Sequence, residues 1–155
     1  MREPKTCLLI HCIWATWDRL PILIGERRDT AYRCIEAECK ALRANMLAIG
    51  GTDNHVHLLV EIPATLPVSL LMKNVKGSTS HLVNTVGGRK EFFKWQGAYA
   101  AYSVGHTELS AVIGYIQNQE QHHGARTTVK DFELPEPQLT KFPVSAGTLC
   151  DLASP

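Results

Sequence analysis

Two histidines, His55 and His57, stand one residue apart in the segment HVHLLVEI, and Tyr115 and Gln119 stand four apart in YIQNQ. If HVHLLVEI is a strand, its side chains alternate: Val56, Leu58, Val60 and Ile62 face one way, His55, His57, Leu59 and Glu61 the other. Two imidazoles on one side of a strand lie about 7 Å apart at the backbone, close enough to converge on one metal ion. The same pair also reads as two partly exposed histidines with no ligand. Other chemistries built on His-x-His ask for more. A histidine-triad nucleotide hydrolase needs a third histidine where Leu59 stands, and an amidohydrolase needs an eight-stranded barrel that 155 residues are too few to build. A zinc hydrolase wants a third histidine or a carboxylate, and Glu61 sits too far down the strand, where a solvated charge is the better reading. On a helix, Tyr115 and Gln119 are neighbours on one face, with His122 on the same side. A helical tyrosine is also ordinary core filler, and a glutamine beside it an ordinary surface residue.

The elements that must position these residues follow from pattern. Residues 7–16 (CLLIHCIWAT) form a short apolar run bounded by Asp18 and Pro21, which predicts a buried strand. Tyr32, Ile35 and Leu42 recur at helical spacing, predicting a helix over 29–45, and MLAIGGT a strand over 46–52. Thr52-Asp53-Asn54 is turn chemistry before the histidine strand, 55–62. A helix over 69–86 follows, with Leu71, Val75, Leu82 and Val86 as its apolar stripe and Gly87-Gly88 as its stop. AYAAYSV predicts a strand over 98–104. Thr107 is placed to cap a last helix reaching about His123, docked through Leu109, Val112, Ile113 and Ile116. Within it, His122 and His123 read as a solvated helix end. Strand, helix, strand, strand, helix, strand is the split βαβ order of an α+β, ferredoxin-like (RRM-like) antiparallel sheet. Such a sheet packs two helices on one face, and the other is left for a site or a further helix. We expect one domain over 1–124 and an irregular, proline-bearing tail over 125–155.

Composition sets limits. With 45% hydrophobic and 20% charged residues the chain is a soluble globular domain with a real core. It shows no apolar run of membrane-spanning length and no signal peptide, so a cytoplasmic protein is expected, with no membrane partner. Five cysteines (Cys7, Cys12, Cys34, Cys39, Cys150) without a CxxC pair argue against a disulfide framework or zinc knuckle and for buried small hydrophobes. A net charge of +1 does not by itself announce a nucleic-acid binder.

HVHLL after a turn, KGSTSHL in the next helix, WQGAYAAYSVG and YIQNQ, with HCIWATWDRLPIL near the start, together resemble the single-tyrosine HUH transposases of small bacterial insertion sequences. The likeness runs over residues 7–123, in order and at the right spacing. It implies that His55 and His57 ligate a divalent metal, Mg²⁺ or Mn²⁺, that Gln119 is a third ligand, and that Tyr115 is the nucleophile. Attack on phosphorus would give a 5′-phosphotyrosine and a released 3′-OH, keeping bond energy for rejoining without ATP. It implies single-stranded DNA with hairpin ends as partner, and a homodimer whose sites join the histidines of one subunit to the tyrosine of the other. Gly105, before the tyrosine helix, is placed to serve as a hinge. The resemblance leaves as an alternative a domesticated relative, the REP-associated tyrosine transposases; these tend to carry an asparagine-proline pair after the tyrosine, whereas this chain reads YIQNQEQHH, like the mobile-element branch. The segment ARTTVKDFELPEP departs from the charged amphipathic helix expected next. A non-catalytic RRM-like binding module shares the topology but would carry aromatics where His55 and His57 stand.

For DNA, the candidates are Lys73 and Lys76 on the second helix, and Arg89, Lys90 and Lys94 interleaved with Phe92, Phe93 and Trp95. Each also reads as a solvated charge or a loop anchored by its aromatics.

Overall fold

The computed structural model describes residues 4–86 and 92–125, with Thr128. Arg89, Lys90, the Gly87-Gly88 stop, Cys150 and the prolines of the tail lie outside the described residues. Along the chain run β1 (Leu8–Ala15), a 3-10 turn at Trp17–Arg19, α1 (Gly25–Ala41), β2 (Asn45–Gly51), β3 (His55–Ile62) and α2 (Val68–Val86). Then come β4 (Ala100–Ser103), a second 3-10 turn at His106–Glu108, α3 (Leu109–Gln117) and α4 (Gln119–Ala125). The sheet order is β2-β3-β1-β4 with every pairing antiparallel, the ferredoxin-like arrangement expected for this α+β chain.

One face is the main core. Cys12 and Trp14 of β1 and Val56, Leu58 and Val60 of β3 pack against Ala31, Ile35 and Cys39 of α1 and Leu71, Val75 and Val83 of α2. The α2 stripe is rotated from the expected one: Met72, Thr79 and Val83 are buried, whereas Leu82 and Val86 are exposed. Buried Thr79 is tolerated because its hydroxyl donates to the Val75 carbonyl at 2.5 Å. The opposite face carries a smaller cluster in which Val112 and Ile116 of α3 lie on Ala48 and Leu59.

Helix α1 ends earlier than the apolar spacing suggests. Arg43 takes a left-handed φ of 58°, the Ala44 amide donates to the Cys39 carbonyl at 2.9 Å and the Arg43 amide to the Lys40 carbonyl at 3.0 Å. That is a Schellman closure made without glycine, so no residue type announced it. Cys12 and Cys39 are buried, and burial lifts the Cys12 thiol to about 12, while Cys7 is exposed and Cys34 half-buried.

The segment leading into β4 is anchored by aromatics. Phe93 packs edge-on to Trp95 (4.7 Å between centroids) and Trp95 edge-on to Trp14 (5.8 Å). Asn84 at the end of α2 imitates a strand neighbour for this segment: its amide nitrogen donates to the Phe93 carbonyl at 2.7 Å and its oxygen accepts from the Phe93 amide at 2.9 Å. Asn84→Ala strips both partners from one backbone unit, so a urea melt should show a loss of about 2–3 kcal/mol. A change below about 0.5 kcal/mol would mean that water replaces the side chain fully.

Candidate active site

His55 and His57 leave β3 on the face that α3 covers, and both are buried. The turn before the strand fixes His55. Its Nδ1 lies 2.8 Å from Asn54 Oδ1 and 2.9 Å from Thr52 Oγ1. An amide oxygen only accepts, so Asn54 Oδ1 favours the tautomer with the ring proton on Nδ1 and the lone pair on Nε2. That Nε2 meets the side-chain oxygen of Gln119 at 3.4 Å. The Gln119 amide nitrogen donates to the Tyr115 carbonyl at 3.2 Å, which is why the oxygen is the atom turned toward the histidine. Two acceptors thus face each other in a buried place, an arrangement that a cation relieves.

Glycines let the layers come this close. Gly50 pairs with His57, and a Cβ there would overlap the backbone carbonyl oxygen of Ile116 in α3. A Cβ on Gly51 would overlap the carbonyl oxygen of His55 itself. Helix α3 therefore lies with its backbone against β2, which brings Tyr115 to the histidines: the Tyr115 and His57 ring centroids are 6.1 Å apart, edge to face. The Tyr115 ring is buried and stacks on His122 at 4.6 Å.

The helix is not continuous to residue 123 as its spacing suggests. It stops at Gln117, where the Asn118 side chain donates to the Gly114 carbonyl at 2.8 Å, and restarts at Gln119. Nor does Thr107 cap it; it lies inside a 3-10 turn whose Glu108 carboxylate accepts from the Gly105 amide at 3.2 Å. Despite the break, Tyr115 and Gln119 stay together, both facing β3.

His55, His57 and Gln119 would offer a divalent ion two imidazole nitrogens and one amide oxygen, a set that fits Mn²⁺ better than Mg²⁺. Among the described residues no three His, Cys, Asp or Glu side chains form a metal-holding group, so an ion here would need the Gln119 oxygen besides the two imidazoles. Neutral imidazoles and an amide bring no formal charge, so such an ion would keep its full pull on a phosphate. Glu61 sits at the far end of the strand, opposite Leu9 and Asn45.

Residues 5–119 match the family profile of IS200-like transposases. This chain belongs to that family. Its function class is accordingly DNA transposition. A crystal structure of a transposase candidate from Deinococcus radiodurans R1 superposes with a TM-score of 0.62 at 21% identity, covering 77% of this chain and 98% of that one. A REP-associated tyrosine transposase bound to a REP hairpin gives 0.61 at 15% identity, covering 96% and 98%. At these identities both likenesses speak for the fold. No curated protein matches the sequence. Among the described residues, no helix is long and apolar enough to cross a membrane.

In this IS200-like transposase the sequence pattern led to His55, His57, Tyr115 and Gln119, which the fold brings together, but it passed over His11. That buried residue of β1 has its Nε2 2.9 Å from His57 Nδ1, the two rings meeting edge to edge with centroids 5.1 Å apart. Strand alternation already put His11 on the face away from Cys12 and Trp14; only the β1–β3 register shows that this is the histidine face. His122 and His123 are more than a solvated helix end, since His123 meets His55 edge-on at 4.8 Å and His122 holds the tyrosine ring.

The cationic candidates sort by what they touch. Lys73 is exposed on α2. Lys76 donates to the carbonyls of Gly97 (2.7 Å) and Ala98 (3.3 Å), and burial lowers the pKa of its ammonium. Lys94 lies 3.8 Å over the exposed ring of Trp17. Phe93 and Trp95 are in the core, where no base could stack on them, and Phe92 is exposed.

Proposed function

We propose that this transposase cleaves and rejoins single-stranded DNA through Tyr115, beside a divalent metal, Mg²⁺ or Mn²⁺, held by His55, His57 and Gln119. The observation that carries the reading is the facing of His55 Nε2 and Gln119 Oε1 at 3.4 Å, one helical turn from the tyrosine. When bound, the ion would draw charge from a non-bridging phosphate oxygen and orient the phosphodiester. The tyrosine oxygen attacks phosphorus, the P–O3′ bond breaks, and the departing 3′ oxygen takes up a proton, the phenol having released its own to solvent. Reversal by another 3′-OH rejoins the strand and restores the tyrosine. Stacking on His122 helps to hold the ring in place, so less freedom is lost when its oxygen is brought to phosphorus.

For the DNA we take hairpin ends as substrate, the kind of ligand present in the REP-associated neighbour. Lys73 and Lys94, with Arg89 and Lys90 outside the described residues, are the backbone contacts we favour; Lys76 is already engaged with two carbonyls. An RRM-like binding module is disfavoured because α3 covers the sheet face on which such a module would stack bases. The protein would form one catalytic domain over 1–124 and act in the cytoplasm at the nucleoid.

The test is a labelled hairpin substrate from the flanks of the gene, incubated with Mn²⁺ or Mg²⁺ and resolved under denaturing conditions. The parent protein should yield a covalent protein–DNA adduct and Tyr115→Phe none. An adduct that persists in Tyr115→Phe overturns the assignment of the nucleophile.

A further inference from the structure

The contact between His11 and His57 is a nitrogen–nitrogen hydrogen bond inside the protein: His11 Nε2 to His57 Nδ1 at 2.9 Å, both rings buried. Such a bond between neutral rings holds one proton, and two arrangements are open. If His11 donates from Nε2, His57 accepts at Nδ1 and must carry its own proton on Nε2. If His57 donates from Nδ1, His11 accepts, and His57 keeps the lone pair on Nε2. Only the second leaves His57 able to ligate through the edge away from His11. His55 is already in that state, because Asn54 Oδ1 lies 2.8 Å from its Nδ1. The His11 and His57 rings meet edge to edge along this bond, 27° from coplanar, which also fixes how the second ring lies, and the neighbouring His55 ring stands at 5.0 Å.

We infer that His11 is a positioning residue for the metal site: it accepts the Nδ1 proton of His57 and so sets that ring's tautomer and orientation. The inference rests on the reading of His55, His57 and Gln119 as metal ligands. It assigns to β1 the part that the Thr52–Asn54 turn plays for His55, so each ligating ring is held from behind by a different element.

Long-range ¹⁵N–¹H correlation spectra of the metal-free protein, with His11→Gln and His57→Gln used to assign the rings, test the tautomer directly. His57 should be protonated on Nδ1; a proton on Nε2 overturns the inference, whatever the protein does with metal. Titration with Mn²⁺ alone, followed through the EPR signal of unbound ion, is the second arm. His11→Leu should bind about 10–100-fold more weakly. His11→Gln, whose Oε1 reaches where Nε2 stood, should recover most of that loss. Binding by His11→Leu at the parent affinity, or equal weakness in Leu and Gln variants, overturns the positioning role. If the leucine variant does not fold, the spectrum and the glutamine variant still decide. Should the parent itself ignore Mn²⁺, the metal reading falls while the spectrum still judges the link from His11 to His57.

Discussion

Gly50→Ala is expected to lower strand cleavage by about a hundredfold while the sheet remains folded. The reason is local. Gly50 lies opposite His57 in the β2–β3 ladder, and the Cβ of alanine would overlap the Ile116 carbonyl oxygen, a backbone atom that cannot rotate aside. The strand is fixed by its ladder with β3, so α3 is the layer that yields. It must retreat by roughly 1 Å, and a displacement of that size at a reacting atom is enough for such a loss. The helix is held by few residues, chiefly Val112 and Ile116 on Ala48 and Leu59, so it can shift without unfolding the main core. Tyr115 and Gln119 both ride on this segment, so the proposed nucleophile and the proposed ligating amide oxygen are displaced together. Gly77→Ala is the matched control. It adds the same methyl in the interior of α2, where nothing lies within 4 Å, and should leave cleavage unchanged with a gain of about 0.5–1 kcal/mol in stability. Steady-state cleavage of a hairpin substrate, with circular dichroism and thermal melts alongside, reads the difference. Full activity in Gly50→Ala would show that the close seat of α3 is not what places the tyrosine.

That sensitivity explains which parts of the site could be read in advance. The bounds of β3, His55–Ile62, follow directly from alternation after a turn, because a half-buried strand must sort its side chains by face. Tyr115 and Gln119 were legible as a pair because four-residue spacing keeps them on one face; it did so even across the break at Asn118, whose backbone leaves the helical angles (φ −108°, ψ 24°) while its amide and side chain both donate to the Gly114 carbonyl. His11 was not legible because its partner lies 46 residues away, and only the pairing of Ile13 with His57 sets it diagonally beside that ring. The same limit applies to Phe93 and Trp95. In sequence they sit among cations and look like a surface for bases; the bonds from Asn84 and the packing on Trp14 turn them inward. What escaped the sequence is long-range register, and what did not is local periodicity.

Mixing two inactive proteins should restore no activity. One carries Tyr115→Phe, the other His57→Ala, and each lacks one part of the site. Within the chain, Tyr115 is seated beside its own His57, and the segment after it is tied to the same molecule by the Arg28–Glu120 ion pair at 2.9 Å and by Gln119 against His55. If this is the working arrangement, every site in the mixture still lacks a tyrosine or a histidine, and no adduct forms. The family resemblance implies the other possibility, a homodimer in which α3 crosses to the partner's sheet. Such an exchange keeps all the contacts of α3 and asks only that the link between β4 and α3 open out at Gly105, which already has extended angles of φ −74° and ψ 152°. In randomly mixed dimers exchanging their helices, one site in half of the dimers would be complete, so adduct would return to roughly a quarter of the parent level. Recovery of that size would therefore overturn the arrangement within one chain while leaving the roles of Tyr115 and His57 intact. The ion pair itself does not decide the matter, since exposed pairs contribute little. The decisive term is the burial of Val112 and Ile116, which a partner's sheet would satisfy equally well. Because the two arrangements share the contacts of α3, they part in linkage: the exchanged dimer would melt at a temperature that rises with protein concentration and restore adduct in the mixture, and the single-chain site would do neither.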